Sequence, residues 1–145
     1  MSTTVYDDNN IFAKILRGEI PCTKVYEDDV ALAFMDIMPR ADGHVLVIPK
    51  APGRNLLDID AAALSQMMPR VQKVARAVKK AVNADGITLH QYSESAGGQV
   101  IFHLHFHILP RWAGVELRPH TGEMAKPENL ETLAVKIRAA LNEAG

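Results

Sequence analysis

Phe102-His103-Leu104-His105-Phe106-His107-Ile108 alternates imidazole with apolar side chains. On a β-strand, residues two apart share a face, so His103, His105 and His107 would line one side at ~6.6–6.8 Å intervals while Phe102, Leu104, Phe106 and Ile108 enter the core. On a helix the same spacing scatters the rings. The β-branched and aromatic neighbours, with Pro110 as a stop, favour a strand running from Val100 to Leu109. One imidazole among apolar residues is commonly a satisfied core group; three on one face are costly without a function.

Working outward, Ser93-Glu94-Ser95-Ala96-Gly97-Gly98-Gln99 is a polar, small-residue loop. Its glycines permit close backbone approach, so its N–H groups could grip a phosphate beside the histidines. It lacks the Gly-Lys-Ser/Thr ending of a P-loop. Before it, Asp85-Gly86 turns the chain into a strand over Ile87 to Tyr92, predicted to pair with 100–109. Lys24 to Tyr26 and Val30 to Met35, split by Glu27-Asp28-Asp29, predict a β-hairpin. The turn cluster Pro39 to Gly43 leads to a third strand over 44–48, ended by Pro49.

Three helices complete the pattern. Ile11, Phe12, Ile15 and Leu16 share one helical face, with Asn9 or Asn10 as N-cap and Gly18 past the end. From Asp60 to Val82 apolar residues recur at three- and four-residue intervals, with Arg76, Lys79 and Lys80 on a solvated face. Pro69 predicts a kink or break there, and Met67 and Met68 read as core filler. A last helix starts near Pro127 with Leu130, Leu133, Ala134, Ile137 and Leu141 on its apolar face, and 111–126 reads as loop. About five strands with segregated helices predict an α+β fold, an antiparallel sheet with helices packed on it.

The 145 residues, 48% hydrophobic and 23% charged, suffice for one ordinary core. A formal net charge of -1 supplies no electrostatic footprint for nucleic acid. The start, Met1 to Asp8, lacks the pattern of a signal peptide, and no apolar run approaches a membrane span, so the chain reads as cytoplasmic and free of membrane contact. Cys22 is the only cysteine, which excludes an internal disulfide and a Cys-x-x-Cys site.

Two chemistries fit three histidines on one strand face. They can ligate zinc or another transition metal, making a metal-dependent hydrolase or metal-binding module. Alternatively, a neutral imidazole whose N–H is held by an acceptor can attack phosphorus through its other nitrogen, while flanking imidazoles donate to phosphate oxygens. A non-catalytic nucleotide-binding protein is a third class. Spacing does not separate these.

Gly98-Gln99-Val100-Ile101-Phe102-His103-Leu104-His105-Phe106-His107 resembles the signature of the histidine-triad (HIT) family of nucleotide hydrolases and transferases. The likeness extends to Asn10 to Ile15, Glu19-Ile20-Pro21, Tyr26 to Asp29, Ala33 to Ile37 and Gly43 to Lys50, a core of about 9–111 followed by a loop and helix over 112–145. The bacterial Hint-like branch is most similar. The resemblance implies a single HIT domain over 1–145 and a homodimer that binds purine nucleotides and cleaves AMP conjugates at the α-phosphate through a nucleotidyl-histidine intermediate, with no cofactor. By similarity His105 is the nucleophile, His103 and His107 orient it and contact phosphate, and His44 stands behind the triad. Histidine rather than glutamine at 107 points to hydrolysis rather than nucleotidyl transfer. Asp36 matches the ribose-binding acid, as a carboxylate accepts from both hydroxyls. Ile11, Phe12, Ile20, Phe34 and Ile37 match the base pocket, and Ser93, Gly98 and Gln99 the phosphate loop.

The chain also departs from the pattern. Members with a structural zinc carry Cys-x-x-Cys where this chain has Asn10-Ile11-Phe12-Ala13, so none is expected here. Val100 stands where many members have serine or threonine, and Tyr92 or Ser93 where many have asparagine. His90 and His120 read as ordinary surface or boundary residues.

Overall fold

Ala31–Met35 and Val45–Pro49 are apolar at every position, the pattern of strands covered on both faces, and all ten residues are buried. In the computed structural model, which describes residues 6–119 and 123–143, they are β2 and β3 of a five-stranded sheet. The other strands are β1 (Lys24–Glu27), β4 (Gly86–His90) and β5 (Phe106–Arg111), and the helices are α1 (Ile11–Leu16), α2 (Ala61–Ala81) and α3 (Pro127–Glu143). The order is β1-β2-β3-β5-β4 with every neighbour antiparallel, so the α+β expectation holds.

The period-two alternation of the strands divides the core. Ala33, Met35, Val45, Val47, Phe106 and Ile108 face α2 and α3. Leu32, Phe34, Leu46 and Ile48 face the other way, under Phe12 of α1. Asn10 caps α1 by accepting from Ala13 N–H at 2.8 Å, and Gly18 beyond its end takes φ +78°. That short helix and Phe12 build the wall of the site on this second face.

Five local expectations are corrected. The strand predicted from Val100 begins only at Phe106, because the preceding residues are held by the segment after β3: Leu104 N–H donates to Gly53 O at 2.8 Å and His103 Nε2–H to Pro49 O at 2.8 Å. Phe102 consequently stays outside the core, half-buried beneath the Arg54 guanidinium. Pro110 lies within β5 rather than closing it. Pairing with β3 stops at Val45↔Ile108, so at Pro110 only β4 is alongside and a missing N–H is tolerated. Pro69 does not break α2, which is unbroken from Ala61 to Ala81. It sits on the exposed face, where the carbonyl it leaves unbonded can turn to solvent. Met67 is fully buried as filler, but Met68 is 41% exposed. His120 and residues 1–5 lie outside the described residues. Among those described, no helix is long and apolar enough to cross a membrane.

Candidate active site

Three hydrogen bonds set the character of the triad. His105 Nδ1–H donates to the His103 carbonyl at 2.7 Å, which leaves the Nε2 lone pair for chemistry. His103 Nε2–H donates to Pro49 O, so its Nδ1 is the acceptor for Tyr6 Oη–H at 2.6 Å. Both rings are buried. Burial holds His103 down to about 4 and lowers His105 as well, the hydrogen bond from His105 to the His103 carbonyl only partly opposing this. Each is neutral at pH 7. His103 therefore acts on His105 through its carbonyl, and both of its ring nitrogens are taken by protein atoms.

His107 is prepared differently. Cross-strand partners share a face, and the register Leu46↔His107↔His90 puts these three side by side on the α1 side of the sheet. His44 Nδ1 accepts from Arg40 N–H at 3.1 Å, which places the His44 hydrogen on Nε2. That N–H points to His107 Nδ1 at 3.0 Å, with Asp36 Oδ2 at 3.4 Å. His107 Nδ1 is thus the acceptor and its Nε2 the donor. Asp36 is oriented in turn by Met38 N–H, 2.8 Å from Oδ1.

The apolar candidates fall into two groups. Phe12 and Phe34 are buried and stacked edge to face at 5.3 Å, with Phe12 set against the His105 ring at 5.0 Å. Ile11 and Ile37 are half-exposed, at 50% and 52%, so neither is a core residue, and Ile20 is partly buried. Ile11 adjoins Phe12 and Ile37 adjoins Asp36 in the chain, so both offer exposed apolar surface of the kind a ligand face uses.

The glycine loop is organised otherwise than expected. The N–H groups of Gly97, Gly98 and Gln99 already donate to the carbonyls of Glu94, Ser95 and Glu94, at 2.9, 3.0 and 3.0 Å. In this conformation their hydrogens are directed into the turn rather than outward. Gln99 is buried, its amide N–H groups on the Arg54 and Ile101 carbonyls and its oxygen accepting from Glu94 N–H and Asn55 Nδ2–H. It holds the loop in shape rather than facing a ligand. Gly98 has φ +99°, and a Cβ there would stand 3.2 Å from Tyr92 Cδ1, so only glycine fits. Ser93 donates its hydroxyl to Gln91 Oε1 at 3.1 Å. Val100 is 83% exposed and packs under nothing.

Sequence reasoning missed three residues. His90, read as a surface or boundary residue, is partly buried and pairs across the strands with His107, and Tyr92 lies 5.5 Å from the His107 ring with its hydroxyl 2.8 Å from His90 Nδ1. Counting the antiparallel register back from His107 is the signal that finds His90. Tyr6, which caps His103, sits in an irregular segment with no pattern to reveal it.

Among the described residues, one grouping has metal-ligand spacing: Asp36, His44 and His107, with ligand atoms within 4.8 Å of one another. It contains a single triad histidine. A metal on His44 Nε2 would need the hydrogen moved to Nδ1, against Arg40 N–H. The hydrogen bonds therefore favour imidazoles that donate and attack over imidazoles that ligate.

A family model described as HIT domain matches residues 17–114. The chain is 39% identical over 131 residues to an adenylylsulfatase of Arabidopsis thaliana, spanning 86% of this chain and 66% of that protein. It is 37% identical over 101 residues to an adenosine 5'-monophosphoramidase of Schizosaccharomyces pombe, 70% of this chain and 73% of that one. The crystal structure of a Hit-like protein involved in cell-cycle regulation from Bartonella henselae is 57% identical with a TM-score of 0.88, over 94% of this chain and 99% of that chain.

Proposed function

Since the chain belongs to the HIT domain family, we propose that it hydrolyses purine-nucleotide conjugates of AMP, such as adenosine phosphoramidates or acyl-adenylates, at the α-phosphate. The observation that carries this reading is the neutral, carbonyl-braced His105 with its lone pair on Nε2. Nε2 attacks phosphorus, the bond from phosphorus to the leaving atom breaks, and the leaving group departs with the electron pair and takes a proton from solvent water. Water then attacks the nucleotidyl-histidine, the P–Nε2 bond breaks, and AMP leaves with His105 restored. His107 Nε2–H serves a phosphate oxygen. Val100 N–H, just past the loop, makes no hydrogen bond to the described residues and is offered as a further donor. Asp36 accepts from the ribose hydroxyls, and the base lies against Ile11, Ile20 and Ile37 over Phe12 and Phe34.

The test is incubation with an adenosine 5'-phosphoramidate, following AMP release together with the intact mass of the protein. AMP release with a transient nucleotidyl adduct on His105 supports the reading. Tight AMP binding without turnover would leave a nucleotide-binding protein. Activity lost to a chelator and restored by zinc would instead support a metal-dependent hydrolase.

Val100 sets a leaving-group preference within this reading, because its side chain cannot donate a proton. Val100→Ser is expected to speed cleavage of alkyl phosphoramidates about tenfold, the worth of one hydrogen bond to the leaving atom, while hydrolysis of activated acyl-adenylates changes little. Equal changes for both substrates would remove position 100 from leaving-group chemistry.

We also propose a cytoplasmic homodimer. The expected mass in light scattering at micromolar concentration is twice that of the 15.9 kDa chain, and a monomer mass overturns it.

A further inference from the structure

Glu94 has φ +67° and ψ 163°, a backbone region that side chains other than glycine rarely adopt. Such a conformation persists only where its surroundings over-determine it, and here they do. Arg54 reaches the Glu94 carboxylate with two N–H groups, at 2.8 and 3.0 Å, and Asn55 Nδ2–H adds a third bond at 2.6 Å. The Glu94 N–H donates to Gln99 Oε1 at 2.8 Å, and its carbonyl accepts from Gly97 and Gln99 N–H. Asn55 and Gln99 are themselves buried and bonded to each other at 3.1 Å. The Arg54 guanidinium carbon stands 4.1 Å from the centroid of the Phe102 ring, next to His103.

One side chain thus grips both ends of the segment from the glycine loop to the triad. Arg54 holds Glu94 at the start and Phe102 at the finish, with Val100 between them. An exposed ion pair adds little to overall stability. This one is 18% and 40% exposed at its two side chains and fixes a turn that would otherwise relax.

We propose that Glu94 is a positioning residue for phosphoryl transfer: the Glu94–Arg54 clamp holds a strained turn so that the 98–100 backbone stays in register with His105. This rests on the hydrolytic reading above. It goes beyond it by assigning function to two residues that touch neither the histidines nor a ligand.

The substitutions separate clamp from strain. Glu94→Ala removes the carboxylate and keeps the backbone penalty; Glu94→Gly removes both; Glu94→Gln keeps a side-chain acceptor for Arg54 and Asn55. With an adenosine phosphoramidate, kcat is expected to fall about 10- to 100-fold in the alanine and glycine variants, the scale of a displaced catalytic contact, and to recover most of its value in Glu94→Gln. AMP affinity falls in step, whereas adenosine, which has no phosphate, binds all four proteins alike. Glu94→Gly should melt at a higher temperature than Glu94→Ala yet be no more active. A merely structural residue would order activity by melting temperature.

Wild-type turnover with no loss in Glu94→Ala overturns the clamp and leaves hydrolysis standing. Absence of wild-type turnover overturns hydrolysis. The ratio of AMP to adenosine affinity then decides: its collapse in Glu94→Ala supports the clamp, and its retention overturns it.

Discussion

Replacing His105 with alanine is expected to lower kcat with an adenosine phosphoramidate by about 10⁴-fold or more and to abolish the nucleotidyl adduct seen by intact mass. The size follows from what is removed. His105 Nε2 is the lone pair left available when Nδ1–H is held on the His103 carbonyl, and no neighbour can substitute for it. His103 has both nitrogens in protein hydrogen bonds, and His107 presents a hydrogen rather than a lone pair. The variant should still bind AMP, since Asp36, His107 and the apolar face remain. Turnover within tenfold of wild type would sink the covalent route; lost AMP affinity would show that the substitution had disturbed more than the nucleophile.

Acid should destabilise the fold through His103. Its neutral form is held in the folded protein down to about 4, against 6.5 for an exposed imidazole. Between those values the unfolded chain binds a proton that the folded chain refuses, so stability falls as pH falls. The contribution is complete above pH 6.5, declines through the window and is gone below about pH 4. At 1.36 kcal/mol per unit it amounts to about 3 kcal/mol, and His105, shifted in the same direction by its own burial, adds to it. Urea unfolding at pH 7.5 and pH 4.5 measures the difference. His103→Gln, which can still offer an N–H to Pro49 O but does not titrate, should lose about 2.5 kcal/mol less than wild type between these values, since pH 4.5 stops short of the full window. Parallel losses in both proteins would show that His103 is not the group that senses acid.

What could be read from the sequence was what depends on local pattern. The continuous apolar runs in β2 and β3, the caps of α1 and the heptad-like spacing of α2 each express a rule that neighbours along the chain satisfy. The alternation around His105 likewise placed Leu104, Phe106 and Ile108 in the core. The misses occur where a distant segment decides. Residues 100–105 look like strand, but His103 and Leu104 are bonded to Pro49 and Gly53 instead, and Pro110 looks like a terminator but lies where only β4 is alongside. The place of His90 beside His107 was not read because it is set by register, and the bonding of the loop N–H groups was not read because a turn can close on itself. Tyr6 and the Glu94–Arg54 pair join positions 97 and 40 residues apart, with no periodicity to connect them.

The row from Arg40 through His44 to His107 is a conductor with a fixed polarity. Its first donor is a peptide N–H, which under ordinary conditions never surrenders its hydrogen, so the direction set there is passed along both rings. A row anchored in this way cannot reverse to carry a proton inward from the solvent side. In the proposed reaction His107 would therefore serve as an anion receptor and not as a base, and the proton released when water opens the nucleotidyl-histidine would leave by another route, through the phosphate or the solvent. The proposed reaction divides among the three rings accordingly, with His105 bonding phosphorus, His103 bracing it and His107 receiving the charge.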